Sequence, residues 1–416
     1  MTIESPAALA DLNDPDVFVA GVPHETFEYW RRTDPVHLTK HPEGHSYWSV
    51  TSYDEVVLAS RDGILFSNER GGVFMFEMEE EMLAQQNMLM LMMDPPRHTR
   101  YRLLVSRAFT PRRIRALEEY IERTATEIID NVIERGECDF VTDLAAELPL
   151  QVIAEMMGVP QQDRKLIFDW SNKMIGSEDP EFATEAGDAE TAMAELFAYS
   201  HALVEERRAD PREDIITGLT QAEIEGDVLS ELEIDLFFLL LAVAGNETTR
   251  NLTANGMHAL FQHPDQLARL QGDLSLMESA TEEMLRYSAP VMYFRRTATA
   301  DTVLGGKDIK AGDAVVLWYI AANRDETHFD LPQEFRVDRT PNEHIAFGGR
   351  GPHFCLGANL ARSEINKIFV QVLTRLDNLQ LAGDVSRLRS NFINGIKHMP
   401  ITFSNGRRST DPKYLG

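Results

Sequence analysis

The strongest constraint on the fold is a long stretch with the pattern of α-helices, from about Pro96 to Tyr287. Within it, Ser230-Glu-Leu-Glu233 matches a helix capping box and precedes an apolar run that continues past Thr249. A second segment, 112–134, repeats its apolar residues at close to 3.6 positions. Strand patterns are confined to short pieces at 45–50, 314–318 and 400–403. The sequence therefore predicts one mainly α domain over residues 1–416, with a small β portion assembled from separate parts of the chain.

Composition predicts a soluble globular protein. Hydrophobic residues make up 43% of the chain and charged residues 26%, which suffices for a large core. The most apolar run, 236–244, is roughly half as long as a bilayer requires, and the amino-terminal residues lack the features of a signal peptide. Two cysteines argue against a disulfide-stapled secreted scaffold, and a net charge of −27 argues against generic binding to nucleic acid or anionic membranes. We therefore expect a cytoplasmic protein.

One of the two cysteines, Cys355, lies in the sequence FGGRGPHFCLGANLAR, residues 347–362. A buried structural thiol is the commonest fate of a cysteine outside a disulfide. Zinc would need further Cys or His ligands, and apart from His353 no paired cluster follows. A nucleophilic cysteine would need a base and an orienting group, which the local sequence does not show.

Ligation of haem iron by the thiolate is the fourth alternative for this cysteine. Glycines surround it at Gly348, Gly349, Gly351 and Gly357. Their missing side chains would let a flat macrocycle lie on the loop, and glycine permits the dihedral angles of a tight turn. An apolar pattern from Leu360 to Leu373 predicts a helix just after the cysteine, whose first amides would point at the sulfur.

This stretch resembles the haem-binding loop of the cytochrome P450 family, usually written Phe-x-x-Gly-x-His/Arg-x-Cys-x-Gly. Gly351, His353, Cys355 and Gly357 occupy the expected positions, whereas Phe347 lies one residue further upstream, as in some bacterial members that act on lipids and sterols. The resemblance implies the cytochrome P450 fold, with haem b between an oxygen-binding helix and the helix after the cysteine. It also implies that the thiolate of Cys355 is the axial ligand.

A second motif of the family is a structural salt-bridge pair. In EEMLR, Glu283 and Arg286 lie three residues apart and therefore on one helix face. The usual third member is an arginine that precedes the cysteine loop. Glu334 occupies the position where many members carry it, so the resemblance leaves Arg336 or Arg339 as its substitute.

The apolar helix is interrupted in LLLAVAGNETTRN, where Gly245, Glu247 and Thr248 break the pattern. Glycine within a helix costs about 1 kcal/mol relative to alanine, and a buried carboxylate needs partners. Either the helix reaches solvent here, or its small residues make room for a ligand. The segment resembles the family's oxygen-binding helix, and the resemblance implies that Glu247 and Thr248 deliver protons during oxygen activation.

The two carboxylates of a haem need cationic partners. His98 and Arg102 lie four residues apart in DPPRHTRYR, after two prolines that begin a helix. In YFRRTATAD, the family spacing Arg-x-Ala-x-x-Asp selects Arg296 over Arg295. Taken singly, each of these residues is as readily explained as a charge on the protein surface. Together with His353, the resemblance implies that they bind the haem propionates.

The resemblance implies reductive activation of O2 and hydroxylation of a hydrophobic small molecule. No G-x-G-x-x-G fingerprint is apparent, so we expect the electrons to come from a ferredoxin served by an NAD(P)H-dependent reductase. The predicted docking surface is basic: Arg100, Arg107, Arg112, Arg113 and Arg362. Two alternatives stay open. One is a peroxide-dependent haem-thiolate enzyme, against which the Glu247–Thr248 pair argues; the other is a non-catalytic haem-binding carrier or sensor.

Substrate identity is less visible in the sequence. Seven methionines fall between Val73 and Asp94, and either they fill the core or, as the resemblance implies, they cap a pocket for a bulky apolar ligand. The predicted pocket residues are Met75, Met88, Ala244, Val291, Met292, Phe294 and Ile393. They indicate a sterol, terpenoid, branched lipid or similar molecule without choosing among them.

Overall fold

The computed structural model describes residues 8–108, 111–176, 179–182 and 187–409, with only the backbone given for 108, 111–114 and 175. The α-helices of the described part are α1 (Pro15–Val19), α2 (His24–Thr33), α3 (Tyr53–Arg61), α4 (Glu80–Gln86), α5 (Arg97–Ala108), α6 (Pro111–Val132), α7 (Glu147–Met157), α8 (Arg164–Ile175), α9 (Asp188–Ala209), α10 (Ile215–Thr220), α11 (Glu231–Gln262), α12 (Pro264–Gly272), α13 (Met277–Tyr287), α14 (Tyr319–Ala322) and α15 (Ala358–Arg375). A π-helical turn covers Phe140–Ala145.

The strands are short and come from separate parts of the chain. They are β1 (Val36–Lys40), β2 (Ser46–Val50), β3 (Phe66–Ser67), β4 (Glu137–Asp139), β5 (Glu223–Ile224), β6 (Asp227–Val228), β7 (Tyr293–Ala298), β8 (Thr302–Leu304), β9 (Lys307–Ile309), β10 (Ala314–Trp318), β11 (Gln380–Leu381), β12 (Ser386–Arg387), β13 (Ile396–His398) and β14 (Pro400–Thr402). The predicted mainly α architecture with a discontinuous β portion is confirmed.

The capping box predicted at Ser230 is present. The hydroxyl of Ser230 accepts the N–H of Glu233 over 3.3 Å, and the carboxylate of Glu233 accepts the N–H of Ser230 over 2.8 Å. These two bonds satisfy amide donors that have no partner inside the helix, and they fix where α11 begins. The predictions for α6, β2 and β14 were right to within two residues at each end, and β10 has the predicted bounds.

The chain divides into two compact units, each built from separate segments. Unit 1 contains the residues up to Arg100, Glu282–Leu356 and Arg389–Asn394. Its five-stranded sheet has the order β1-β2-β10-β7-β3, in which β2 and β10 are parallel and the other neighbours are antiparallel. The central strand β10 is apolar throughout because both of its faces are covered: Val315 packs with α3 in one core cluster, and Val316 packs with α2 in another.

Unit 2 contains Tyr101–Thr281, Gly357–Leu388 and the chain from Gly395 onward. Its longest helix is α11, which packs against α7, α8, α9, α10 and α15. A helix surrounded in this way is apolar on most of its circumference, which explains the long apolar run in the sequence. The remaining strands of unit 2 form the small sheet β11-β14-β4 and the pairs β5-β6 and β12-β13. Among the described residues, no helix combines the length and the apolar character needed to cross a bilayer.

Candidate active site

The loop that carries Cys355 leads directly into α15, whose N-cap residue is Gly357. Two backbone hydrogen bonds of 3.0 Å fold the loop: the N–H of Phe354 donates to the carbonyl of Gly351, and the N–H of Cys355 donates to the carbonyl of Phe347. The side chain of Cys355 is exposed. The loop therefore presents this sulfur outside the core, immediately before a helix amino terminus.

The second cysteine differs in its surroundings. Cys138 lies in β4, and burial raises the pKa of its thiol to about 12, so it stays protonated at neutral pH. Both cysteines lie in the described part of the chain, and neither forms a disulfide. Among the described residues, no cluster of His, Asp or Glu close enough to hold a metal ion includes Cys355. This geometry fits a lone sulfur ligand rather than a zinc site or a buried structural thiol.

The glycines around the cysteine serve different purposes, and only one of them fits the prediction that they clear space for a macrocycle. A side chain at Gly351 would clash with the backbone carbonyl of Ser60 in α3, and one at Gly349 would come within 2.5 Å of the Ser60 Cβ. These two glycines therefore let the loop pack on α3. Gly348 has a φ of +99°, which favours glycine. Gly357 alone faces open space, with no heavy atom within 4 Å of an added Cβ.

Glu283 and Arg286 form a buried ion pair, and Arg339 joins it as a third charged residue. Arg286 donates to both oxygens of Glu283 over 2.7 and 2.8 Å, and Nε of Arg339 donates to the same two oxygens over 2.9 and 3.1 Å. Asn342 adds a bond of 3.2 Å. Arg336 contributes its backbone N–H over 2.9 Å, while its guanidinium lies 3.6 Å from a carboxylate oxygen of Asp330. All charged members of this network except Arg336 are buried.

The predicted oxygen-binding segment remains helical throughout. A Cβ at Gly245 would lie 2.7 Å from Cδ1 of Ile153, so this glycine admits α7 rather than a ligand. Ala244 is exposed and Thr248 is half-buried, which marks an open face in an otherwise buried helix. The hydroxyl of Thr248 donates to the carbonyl of Ala244 over 2.8 Å.

Glu247 lies inside unit 2 rather than on this open face. It is 1% exposed and forms an ion pair with Arg250, which also donates to Asn172 over 2.7 Å. Burial raises the pKa of the Glu247 carboxyl, and the charge and hydrogen bond of Arg250 oppose that rise. The second carboxylate oxygen has no hydrogen-bond partner among the described residues. Sequence reasoning missed Arg250, although its position three residues after Glu247 was a signal.

The two consecutive arginines of β7 point in opposite directions. Arg295 donates to the carbonyl of Phe76 over 3.1 Å and pairs with Glu77 over 3.0 Å. Arg296 is 3% exposed and donates to the carbonyl of Arg295, yet it pairs with no carboxylate in the described part of the chain. A buried guanidinium without an acidic partner suits a ligand carboxylate.

The structure brings two of the other predicted propionate ligands together. The rings of His98 and His353 lie 4.1 Å apart between centroids, at an interplanar angle of 38°. His98 is buried and His353 is half-buried. Arg102, one turn further along α5, belongs to unit 2 and is half-buried.

Most of the predicted pocket residues gather in unit 1. Val291 and Ile393 form a β-bridge, and the ring of Phe294 lies 5.6 Å from that of Phe392. Met75 and Met292 are also part of this region, but both are buried in a core cluster. For Met75, this is what the core-filling explanation of the seven methionines predicts. Met88 is separate and 37% exposed, and Ala244 lies on α11 of unit 2.

Comparison with known proteins identifies the family. The pattern of the family "Cytochrome P450" matches residues 23–390. The chain is 42% identical over 402 residues to a steroid C26-monooxygenase of Rhodococcus jostii, covering 94% of this chain and 84% of that protein. It is 42% identical over 365 residues to a methyl-branched lipid omega-hydroxylase of Mycobacterium bovis, covering 87% of this chain and 85% of that protein.

Solved structures agree with this assignment. A cytochrome P450 of Mycobacterium marinum in complex with pseudoionone superimposes with a TM-score of 0.87 at 36% identity, covering 97% of this chain and all of that chain. A cytochrome P450 of Bacillus megaterium in complex with testosterone gives a TM-score of 0.80 at 35% identity, covering 92% of this chain and 99% of that chain. The chain belongs to the cytochrome P450 family: it has the family's mainly α fold, its cofactor is haem b with a cysteine thiolate as axial ligand, and it is a monooxygenase.

Proposed function

We propose that Cys355 is the cysteine that supplies the axial thiolate. The observation that carries the assignment is its exposed sulfur at the start of α15, next to the open space at Gly357. The residues that would hold the haem propionates are His98, Arg102, Arg296 and His353. Bound haem would supply the activation of O2 and the oxidation of a C–H bond, and a thiolate ligand favours that chemistry by donating electron density.

The same proposal assigns proton handling to Thr248 and Glu247. Each turnover converts R–H and O2, with two electrons and two protons, into R–OH and water. The hydroxyl of Thr248 holds a proton on the open face of α11, where it now donates to Ala244. Glu247 keeps one oxygen on Arg250 and has a second one without a hydrogen-bond partner among the described residues, and this oxygen can take up and release a proton.

The proposed substrate class is supported by the relatives and by apolar side chains of unit 1. We propose that the enzyme hydroxylates a terminal methyl group of a methyl-branched alkyl chain carried by a steroid or a lipid. The relatives are named for C26 of a steroid and for the omega end of a methyl-branched lipid, and both names denote the end of a branched chain. Val291 and Phe294 are half-buried and offer the hydrophobic surface such a chain needs, whereas Ile393, which forms a β-bridge with Val291, is 2% exposed.

We further propose that a ferredoxin and an NAD(P)H-dependent reductase deliver the electrons in the cytoplasm. Arg107 is exposed, as a residue of a basic docking surface must be, whereas Arg100 and Arg362 are half-buried. The side chains of Arg112 and Arg113 lie outside the described residues. We also propose that residues 1–416 act as a single cytochrome P450 domain, because the family match spans segments of both compact units.

Absorption spectroscopy of the reduced protein under carbon monoxide tests the ligand. We expect a strongly red-shifted Soret band that is lost in Cys355→Ala and retained in the matched variant Cys138→Ala. A red-shifted band in Cys355→Ala would contradict the assignment. Haem content gives a second measure: Arg296→Gln should lower the haem retained after purification.

Turnover tests the reaction and its rivals. Cholesterol and phytanic acid have branched chain ends, whereas testosterone and hexadecanoic acid lack them; oxygen should enter only the first pair, at a terminal methyl.

Thr248→Val and Glu247→Gln should slow product formation by about 100-fold, whereas Thr249→Val should not. Faster turnover with hydrogen peroxide than with reduced ferredoxin would identify a peroxygenase, and haem binding without oxidation of any probe would identify a carrier or sensor.

Charge reversal tests the electron donor. Arg107→Glu should slow reduction by ferredoxin, more so at low salt, because salt screens the attraction between docking surfaces. Arg135→Glu, at another exposed position, serves as the control. Equal rates for both variants at every ionic strength would contradict docking at Arg107.

A further inference from the structure

A histidine and two carboxylates meet in unit 2, outside every residue assigned to the haem or the substrate. His201 lies in α9, and Glu231 and Asp235 lie one turn apart at the start of α11. Nδ1 of His201 is 2.8 Å from Oε1 of Glu231 and 3.4 Å from Oδ2 of Asp235. Three potential metal-ligand atoms of different side chains therefore face one another.

Each carboxylate is held from behind by another side chain. The hydroxyl of Ser200 donates to Oδ1 of Asp235 over 2.8 Å, and Arg208 donates to Oε2 of Glu231 over 2.8 Å. In each carboxylate, the oxygen that faces His201 is not the one bound by Ser200 or Arg208. Metal ligands characteristically have such outer partners, which orient them and strengthen binding.

The cluster contains a buried carboxylate whose negative charge needs compensation. Asp235 is 1% exposed, whereas His201 is half-exposed and meets Asp235 at only 3.4 Å. A buried carboxylate loses its hydration and needs compensation. Arg208 is shared between Glu231 and Glu205, at 2.8 and 2.9 Å, so it does not fully balance the two carboxylates of the cluster, and a divalent cation would offset the remaining negative charge.

The distances match a small transition-metal ion. Zn²⁺ binds nitrogen and oxygen at about 2.0–2.2 Å, so ligand atoms on a tetrahedron around it lie about 3.3–3.6 Å apart. The observed separations of 2.8 and 3.4 Å approach this value, and small side-chain rotations would open the shorter one. We propose that His201, Glu231 and Asp235 form a site for one Zn²⁺ ion, completed by water, that joins α9 to the first turns of α11.

A second cluster provides the control. His41, Glu43 and His45 lie in the turn between β1 and β2, also within ligand distance of one another. Their imidazole rings stack at 4.2 Å with an angle of 19°, so their nitrogen lone pairs lie in nearly parallel planes and do not converge on one ion. His41→Ala should therefore leave zinc binding unchanged.

The test uses the haem-loaded full-length protein, freed of loosely bound metal with EDTA and titrated with Zn²⁺ by calorimetry. We expect one Zn²⁺ per chain in the wild type and in His41→Ala, with binding at least ten-fold weaker in His201→Ala and Asp235→Asn. Added Zn²⁺ should raise the melting temperature of the wild type and not of His201→Ala, because the ion binds only the folded protein. His201→Gln, which keeps a side chain of similar size, gives a second variant should His201→Ala fail to fold.

Three results would overturn the site. The first is a wild-type protein that binds no zinc; the second is equal affinity in the wild type and both His201 variants; the third is loss of binding in His41→Ala alone. None of these results depends on monooxygenase activity or on the identity of the axial ligand.

Discussion

Replacement of Arg339 by leucine tests the assignment of the third member of the buried network. The Arg339 side chain is 4% exposed and Glu283 is fully buried. The substitution removes two charge-assisted hydrogen bonds from Glu283 and the donors to the carbonyls of Asp330, Leu331 and Glu334. Removing one partner of a buried ion pair costs about 3–5 kcal/mol, because the remaining charge stays buried without full compensation.

Arg336→Leu is the matched control, three residues away in the same loop. Its guanidinium is 36% exposed and lies 3.6 Å from Asp330, an exposed pair worth about 0–1 kcal/mol. Its contact with Glu283 is made by the backbone N–H and survives the substitution. The difference between the two variants should therefore be about 2–5 kcal/mol.

Urea-induced loss of the Soret band, followed beside far-ultraviolet circular dichroism, measures the difference. Because a bound cofactor breaks two-state behaviour, the midpoints of the two variants should be compared under one haem concentration. Arg339→Leu should lose the band at clearly lower urea than Arg336→Leu. Equal midpoints, or a larger effect of Arg336→Leu, would refute the reasoning.

Two further predictions concern the cysteine loop and the pH dependence of stability. Gly351→Ala should lower haem content and cost about 1–3 kcal/mol through overpacking, whereas Gly357→Ala, which meets open space, should leave folding unchanged in a thermal melt. Burial lowers the pKa of His398, but hydrogen bonds to Glu181 and Asp139 outweigh burial and raise it above the usual 6.5. That contribution to stability is present below the unfolded pKa and lost as pH rises through the folded one, so the melting temperature should fall as pH rises above 6.5, more in the wild type than in His398→Gln.

The motifs with local spacing were predictable from the sequence. The capping box at Ser230 and the Glu283–Arg286 pair each depend on residues three apart, and helical geometry alone brings such residues together. The choice between Arg336 and Arg339 was not predictable, because it depends on the path of a loop. In that loop Leu331 has a φ of +46°, and its carbonyl accepts a hydrogen bond from Arg339.

Contacts between distant segments explain the rest of what sequence reasoning missed. Gly349 and Gly351 were attributed to space for a macrocycle, but they accommodate Ser60 of α3, whose approach no local pattern reveals. Gly245 likewise accommodates Ile153 of α7. In each case the glycine indicated that another segment of the chain approaches closely, but the sequence did not identify that segment.

The packing of the cysteine loop on α3 has a consequence for biosynthesis. The hydroxyl of Tyr53 donates to the carbonyl of Glu343 across 290 residues of chain. At about 5–20 residues per second, a ribosome needs roughly 15–60 s to make that interval. Throughout this time the surface of α3 around Ser60 lacks the loop that packs on it. Contacts of such high sequence separation form slowly. Newly made chains should therefore leave this contact unformed until residue 343 has been made, and cofactor loading should follow synthesis of the cysteine loop.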